Sequence, residues 1–111
     1  YDLTDLGHYF VAYHRLMSHW NSVLPGVIHS VSYENLVINT EKETKRVLKF
    51  CDLTWEPRCL RFYENEAPST TASATQVRQP VYNRSINQWR KYTHHLDNLS
   101  AIIAKAGIDV E

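Results

Sequence analysis

The stretch LGHYFVAYHRLMSHWNSVLPG, residues 6–26, decides the fold class. Leu6, Tyr9, Phe10, Tyr13, Leu16, Met17, Trp20 and Leu24 recur at three- and four-residue steps, which places them on one face of an α-helix. Asp2 or Thr4 stands where an N-cap is needed, and Pro25-Gly26 ends the run. His8, Arg15 and His19 fall mainly on the other, wetter face. An aromatic stripe of this kind is expected to pack into a core, and it is assigned no chemistry.

Beyond that helix, residues 27–33 are short and rich in β-branched side chains, the composition of a single strand. One strand cannot satisfy its own backbone hydrogen bonds, so neighbours are required. Thr40-Glu41-Lys42-Glu43 has the form of a capping box and predicts a helix to about Cys51, burying Thr44, Val47, Leu48 and Cys51. Pro57, where a missing N–H costs nothing, opens another short helix that turns Leu60 and Tyr63 inward. Ser85 is a candidate cap for a short helix leading to Trp89. Leu96, Leu99, Ile103 and Ala106 mark a last helix, stopped by Gly107. The expected fold is therefore mainly α with one short strand, its strand partners lying in a region outside these residues.

The chain has 111 residues, 43% hydrophobic and 22% charged, which suits a folded domain with a modest core. It starts at Tyr1 without an initiator Met and is read as a piece of a longer polypeptide. No apolar run reaches the roughly 20 residues of a membrane-spanning helix. Cys51 and Cys59 are expected to be buried free thiols. Asn83-Arg84-Ser85 and Asn98-Leu99-Ser100 match the glycosylation sequon, a triplet common by chance.

The charge distribution is informative where the formal net charge of zero is not. From Ala67 to Leu96 there is no Asp or Glu, while Arg78, Arg84, Arg90 and Lys91 are cationic. Such a region suits a small anion better than nucleic acid, and no membrane partner is indicated. There is no Gly-rich phosphate loop, nucleophile elbow or paired-carboxylate motif, and no His or Cys spacing suits a metal. That leaves residues 70–82, TTASATQVRQPVY, as the site candidate. Hydroxyls, free backbone N–H groups, a guanidinium and small residues are what phosphate or sulfate oxygens require. A solvated connecting loop has the same composition, and the residues alone leave both readings open.

Ser-Tyr-Glu-Asn-Leu at 32–36, Phe-Cys-Asp-Leu-Thr-Trp at 50–55, Thr-Ala-Ser-Ala-Thr-Gln-Val-Arg-Gln-Pro-Val-Tyr at 71–82 and Gln-Trp-Arg-Lys-Tyr at 88–92 occur in that order. This collinear set resembles sulfotransferases, most nearly the bacterial type associated with tetratricopeptide repeats and more distantly protein-tyrosine sulfotransferase. The resemblance implies that the chain is the C-terminal subdomain, residues 1–111, of an α/β, P-loop-like fold. It implies 3′-phosphoadenosine 5′-phosphosulfate (PAPS) as donor, no metal, and transfer of a sulfuryl group to an acceptor hydroxyl or amine. Tyr33 is then expected beside the adenine, although a strand-end core role suits it too. Ser73 is expected at the migrating sulfuryl group, and Ala74, Thr75, Gln76, Val77, Arg78, Gln79, Pro80, Val81 and Tyr82 in a loop folded over the nucleotide. Gln88 stands before Trp89, where tyrosine-sulfating relatives carry Lys, so a cationic donor contact is absent there. Arg78, Arg84 or Arg90 is a substitute.

In the family, the 5′-phosphosulfate loop, the Arg and Ser that hold the 3′-phosphate, and the general base lie upstream of this segment. The chain is therefore expected to need an N-terminal half as partner and to be inactive alone. The bacterial resemblance implies a cytoplasmic setting. The reading from a different class is a non-catalytic helical scaffold of sulfotransferase-like shape.

Overall fold

The structure, a computed structural model, describes residues 2–68, 70 and 73–109. Among them are four α-helices: α1 (Leu3–Val23), α2 (Tyr33–Ile38), α3 (Thr40–Phe50) and α4 (Asp97–Lys105). Three 3₁₀ segments, Pro57–Glu64, Gln76–Arg78 and Gln88–His95, complete the regular structure. The chain divides into two compact units, one of residues Tyr1–Ile28 with Asn87–Glu111 and one of His29–Ile86.

In the first unit α1 begins where Asp2 accepts hydrogen bonds from the amides of Thr4 at 2.6 Å and Asp5 at 3.3 Å. It ends at Leu24, before Pro25 and Gly26, the latter at φ +80°. Gly7 is buried, and a Cβ there would lie 3.1 Å from Leu99 Cδ1 and 3.2 Å from Ile102 Cγ2. The bare α-carbon is what lets α4 approach this closely. Asn98 Nδ2 donates to Thr4 Oγ1 at 2.9 Å, and Ile102, Lys105 and Ala106 lie alongside Val11, Ala12 and Arg15. The two helices therefore run parallel. Gly107, at φ +75°, closes α4 as expected.

The aromatic stripe of α1 lies on the opposite face and is not packed. Tyr9 is 74% exposed, Tyr13 50% and Trp20 43%, and the buried hydrophobic residue of this helix is Val11. The core role expected for the stripe is thus corrected. The contact with α4 uses the small-residue side of α1, around Gly7 and Val11. Gln88–His95 is entered through Asn87 at φ +58° rather than through a Ser85 cap, and it kinks at Tyr92.

In the second unit residues 29–32 have no regular structure, and no strand occurs among the described residues. The expected strand is not formed, because a strand exists only with a paired neighbour. Tyr33 instead opens α2, capped by Ser32, whose hydroxyl oxygen accepts from Asn35 N at 3.3 Å. His29 stacks on Phe50 with ring centroids 5.0 Å apart, its Nε2 buried without a hydrogen-bond partner.

The capping box at Thr40 is also corrected. Asn39 is the N-cap residue, Thr40 Oγ1 donates to Val37 O, and the Glu43 carboxylate turns to Arg46 Nη1 at 2.9 and 3.1 Å. Because α2 runs almost directly into α3, the Asn39 carbonyl already receives the Glu43 amide. Thr44, Val47 and Leu48 are half-buried, whereas Cys51 is exposed and Cys59 half-buried. Both thiols are free, but neither is buried. Pro57 begins its 3₁₀ segment as expected, with Leu60 and Tyr63 half-buried.

Candidate functional site

Helix α2 presents Tyr33, Leu36 and Val37 at i, i+3 and i+4, and therefore on one face. Ser73 shapes the loop facing them: its carbonyl accepts from Gln76 N at 2.9 Å and Val77 N at 3.1 Å. The turn continues as Gln79 N donates to Gln76 O at 3.1 Å. Tyr33, Leu36, Val37, Phe62, Ser73, Gln76, Val77, Gln79, Pro80, Val81 and Tyr82 together line one cavity of about 240 Å³. The Arg84 guanidinium lies over the Tyr82 ring, 4.2 Å from its centroid.

Eight of the sequence-predicted residues thus meet in one place: Tyr33, Ser73, Gln76, Val77, Gln79, Pro80, Val81 and Tyr82. Ala74, Thr75 and Arg78 are in the same loop but do not line the cavity. Arg78 is occupied elsewhere, its Nη2 donating to the Ala67 carbonyl across the base of the loop. Gln88 belongs to the first unit. Thr71 and Ala72, quoted in the sequence motif, lie outside the described residues.

No Lys, Arg, Asp or Glu lines this cavity. Its chemistry is that of apolar walls, the three aromatic rings of Tyr33, Phe62 and Tyr82, the side-chain amides of Gln76 and Gln79, and the hydroxyls of Tyr33, Ser73 and Tyr82. Such a lining suits a planar, uncharged heterocycle, not the oxygens of a phosphate. Leu36, Val37 and Phe62 also line it and were not foreseen. The signal of Leu36 and Val37 is hidden in the sequence because a strand ending at Tyr33 leaves out of view the helical face they share with it.

A second, more open depression of about 800 Å³ lies across the Pro80–Val81 ridge, beside Thr40, Lys42, Lys45 and Tyr63. Its Lys45 is already paired with Glu41 at 2.6 Å and lies 4.9 Å from the Trp55 ring centroid. Among the described residues no His, Cys, Asp and Glu side chains gather as a metal site. No described helix is long and apolar enough to cross a membrane.

A family model described as "Sulfotransferase family" matches residues 1–57. The chain belongs to the sulfotransferase family. This match takes in Tyr33 and the face of α2, and it stops before the loop at 73–82. The chain is also 35% identical over 103 residues to an uncharacterized protein of Aquifex aeolicus (strain VF5). That alignment covers 93% of this sulfotransferase-family chain and 14% of the relative's length. No solved structure matches it.

Proposed function

We propose that this chain supplies one wall of the donor site in a PAPS-dependent sulfotransferase, and that the cavity takes the adenine. The observation that carries this reading is the meeting of Tyr33 with Ser73, Gln76 and Val77 around one uncharged hollow. Its volume of about 240 Å³ lies below the roughly 300–1,000 Å³ of complete small-molecule sites. It therefore fits one moiety of a nucleotide, the flat and neutral one. Tyr33 and Phe62 offer ring faces, and the Gln76 and Gln79 amides can hydrogen-bond the base edge.

The charged part of the donor then falls to an N-terminal half belonging to an α/β parent fold, of the kind associated with tetratricopeptide repeats. Two features support such a partner: the uncovered apolar face of α1 and the unpaired segment 29–32, which would add to a sheet. In the assembled enzyme an acceptor hydroxyl or amine attacks the donor sulfur in line. The S–O bond to the 5′-phosphate breaks, 3′-phosphoadenosine 5′-phosphate (PAP) leaves, and the acceptor proton passes to a base in the partner region. By this reading the chain alone does not turn over.

The test is a calorimetric titration of PAP into the full-length parent protein. Saturable binding is expected, weakened about tenfold or more by Tyr33→Ala, since base–aromatic stacking contributes roughly 1–3 kcal/mol. Tyr33→Phe should bind like the parent. Equal affinity in the parent and Tyr33→Ala proteins, or no binding of PAP, overturns the reading.

A further inference from the structure

The first unit carries a groove that the donor-site reading does not use. It lies between α1 and α4 and has a volume of about 520 Å³. His8 and Arg15 of α1 and Lys105 of α4 stand around it, over a floor of Val11, Ala12 and Ile102. All three basic side chains are exposed, and none makes an ion pair or a hydrogen bond among the described residues. The acidic residues of the two helices, Asp5 and Asp97, are in the first turns, remote from Arg15 and Lys105, although Asp5 stands one turn before His8.

Helix–dipole compensation explains only part of this cluster. Lys105, in the last turn of α4, offsets that helix's own terminal carbonyls. Arg15 and His8 have no such role, because both lie within α1, away from its C-terminus. They are seven residues apart, two turns of one face, or about 10.5 Å along the axis. An apolar strip therefore runs between the Arg15 guanidinium and the His8 imidazole, with the Lys105 ammonium on the facing helix.

We propose that this groove docks an acidic amphipathic helix of a protein partner. Charge complementarity selects the occupant: carboxylates seven residues apart would meet Arg15 and His8, and an aliphatic side chain between them would rest on Val11 and Ile102. This proposal is independent of the nucleotide cavity, which lies in the other unit.

The test uses the full chain and a fluorescein-labelled helical peptide with two Glu seven residues apart and Leu between them. Its twin carries Gln at both positions. Fluorescence anisotropy at low salt should show the Glu peptide binding and the Gln twin about fivefold or more weaker. Arg15→Gln with Lys105→Gln should lose the same difference, as expected for exposed ion pairs. Raising the salt past the range where the screening length drops below roughly 8 Å should weaken the Glu peptide alone. Both substituted positions are exposed, and an unchanged far-ultraviolet circular dichroism spectrum will show that folding is intact. No binding of the Glu peptide, equal binding of the two peptides, equal binding by the double variant, or preference for anionic phospholipid vesicles over the peptide overturns the proposal.

Discussion

Asp52 and Gly107 hold equivalent positions in two helix endings of the same design. After α3, Leu53 N donates to Leu48 O at 2.8 Å and Asp52 N to Lys49 O at 3.2 Å. After α4, Ile108 N donates to Ile103 O at 3.4 Å and Gly107 N to Ala104 O at 2.9 Å. Both central residues are left-handed, at φ +56° and +75°. Glycine adopts that conformation without a Cβ penalty, whereas aspartate does not. Asp52→Gly is therefore expected to stabilise the fold by about 0.5–1 kcal/mol, and Gly107→Ala to destabilise it by about 1 kcal/mol. Urea titrations of the two variants, read by circular dichroism, check the opposite signs.

The start of α1 should be sensitive to acid. Hydrogen bonds from the Thr4 backbone, the Thr4 side chain and the Asp5 backbone hold the Asp2 carboxyl below its ordinary value. A carboxylate whose pKa is lowered on folding contributes stability above its unfolded pKa and loses it as pH falls through the folded one. The first turn of α1 should accordingly fray on acidification below that lowered value. In Asp2→Asn the cap persists and the pH dependence vanishes. Amide chemical shifts of Thr4 and Asp5 across the acid range distinguish the two proteins.

At Gly7 two effects of similar size oppose each other. Alanine would gain about 1 kcal/mol of helix propensity. Its methyl would meet Leu99 Cδ1 at 3.1 Å and the branched Ile102 at 3.2–3.3 Å, against an overpacking cost of about 1–3 kcal/mol. Ile102 is β-branched and has little freedom to move aside. Gly7→Ala should be mildly destabilising, and Gly7→Ala with Ile102→Ala should recover part of the loss. A double-mutant cycle from thermal melts measures that coupling.

Arg78 clasps the base of its loop through Ala67 O. Arg78→Ala should speed hydrogen exchange at the amides of Gln76, Val77 and Gln79 by about fivefold, the equivalent of one modest hydrogen bond. Helical content should not change. If exchange there is the same in both proteins, the clasp does not hold the loop.

Much of the helical framework was legible because it depends on local chemistry. Asp2, Pro25, Pro57 and Gly107 each act within a few residues of themselves, and the helices start or stop where those residues require. Long-range partners were less accessible. The stripe from Leu6 to Leu24 announced a buried face, but the sequence does not say what buries it, and α4 takes the other side. The same limit applies to residues 27–33, whose composition is strand-like while pairing depends on a neighbour. At the candidate site the loop and Tyr33 were recognised through their resemblance to sulfotransferases. Phe62 was not, since its place follows from a kinked 3₁₀ segment rather than from any periodic pattern. Arg78, chosen for its charge, turned out to serve the loop's own backbone.

The uncovered side of α1 has a practical consequence. Rings such as Tyr9 and Trp20, wetted on a rigid rod, make the chain adhesive when handled by itself. It should bind anilinonaphthalene dyes, self-associate as concentration rises, and show the red-shifted emission of a hydrated indole from Trp20. A companion polypeptide that seats on those rings would shift the emission to the blue and keep the preparation clear.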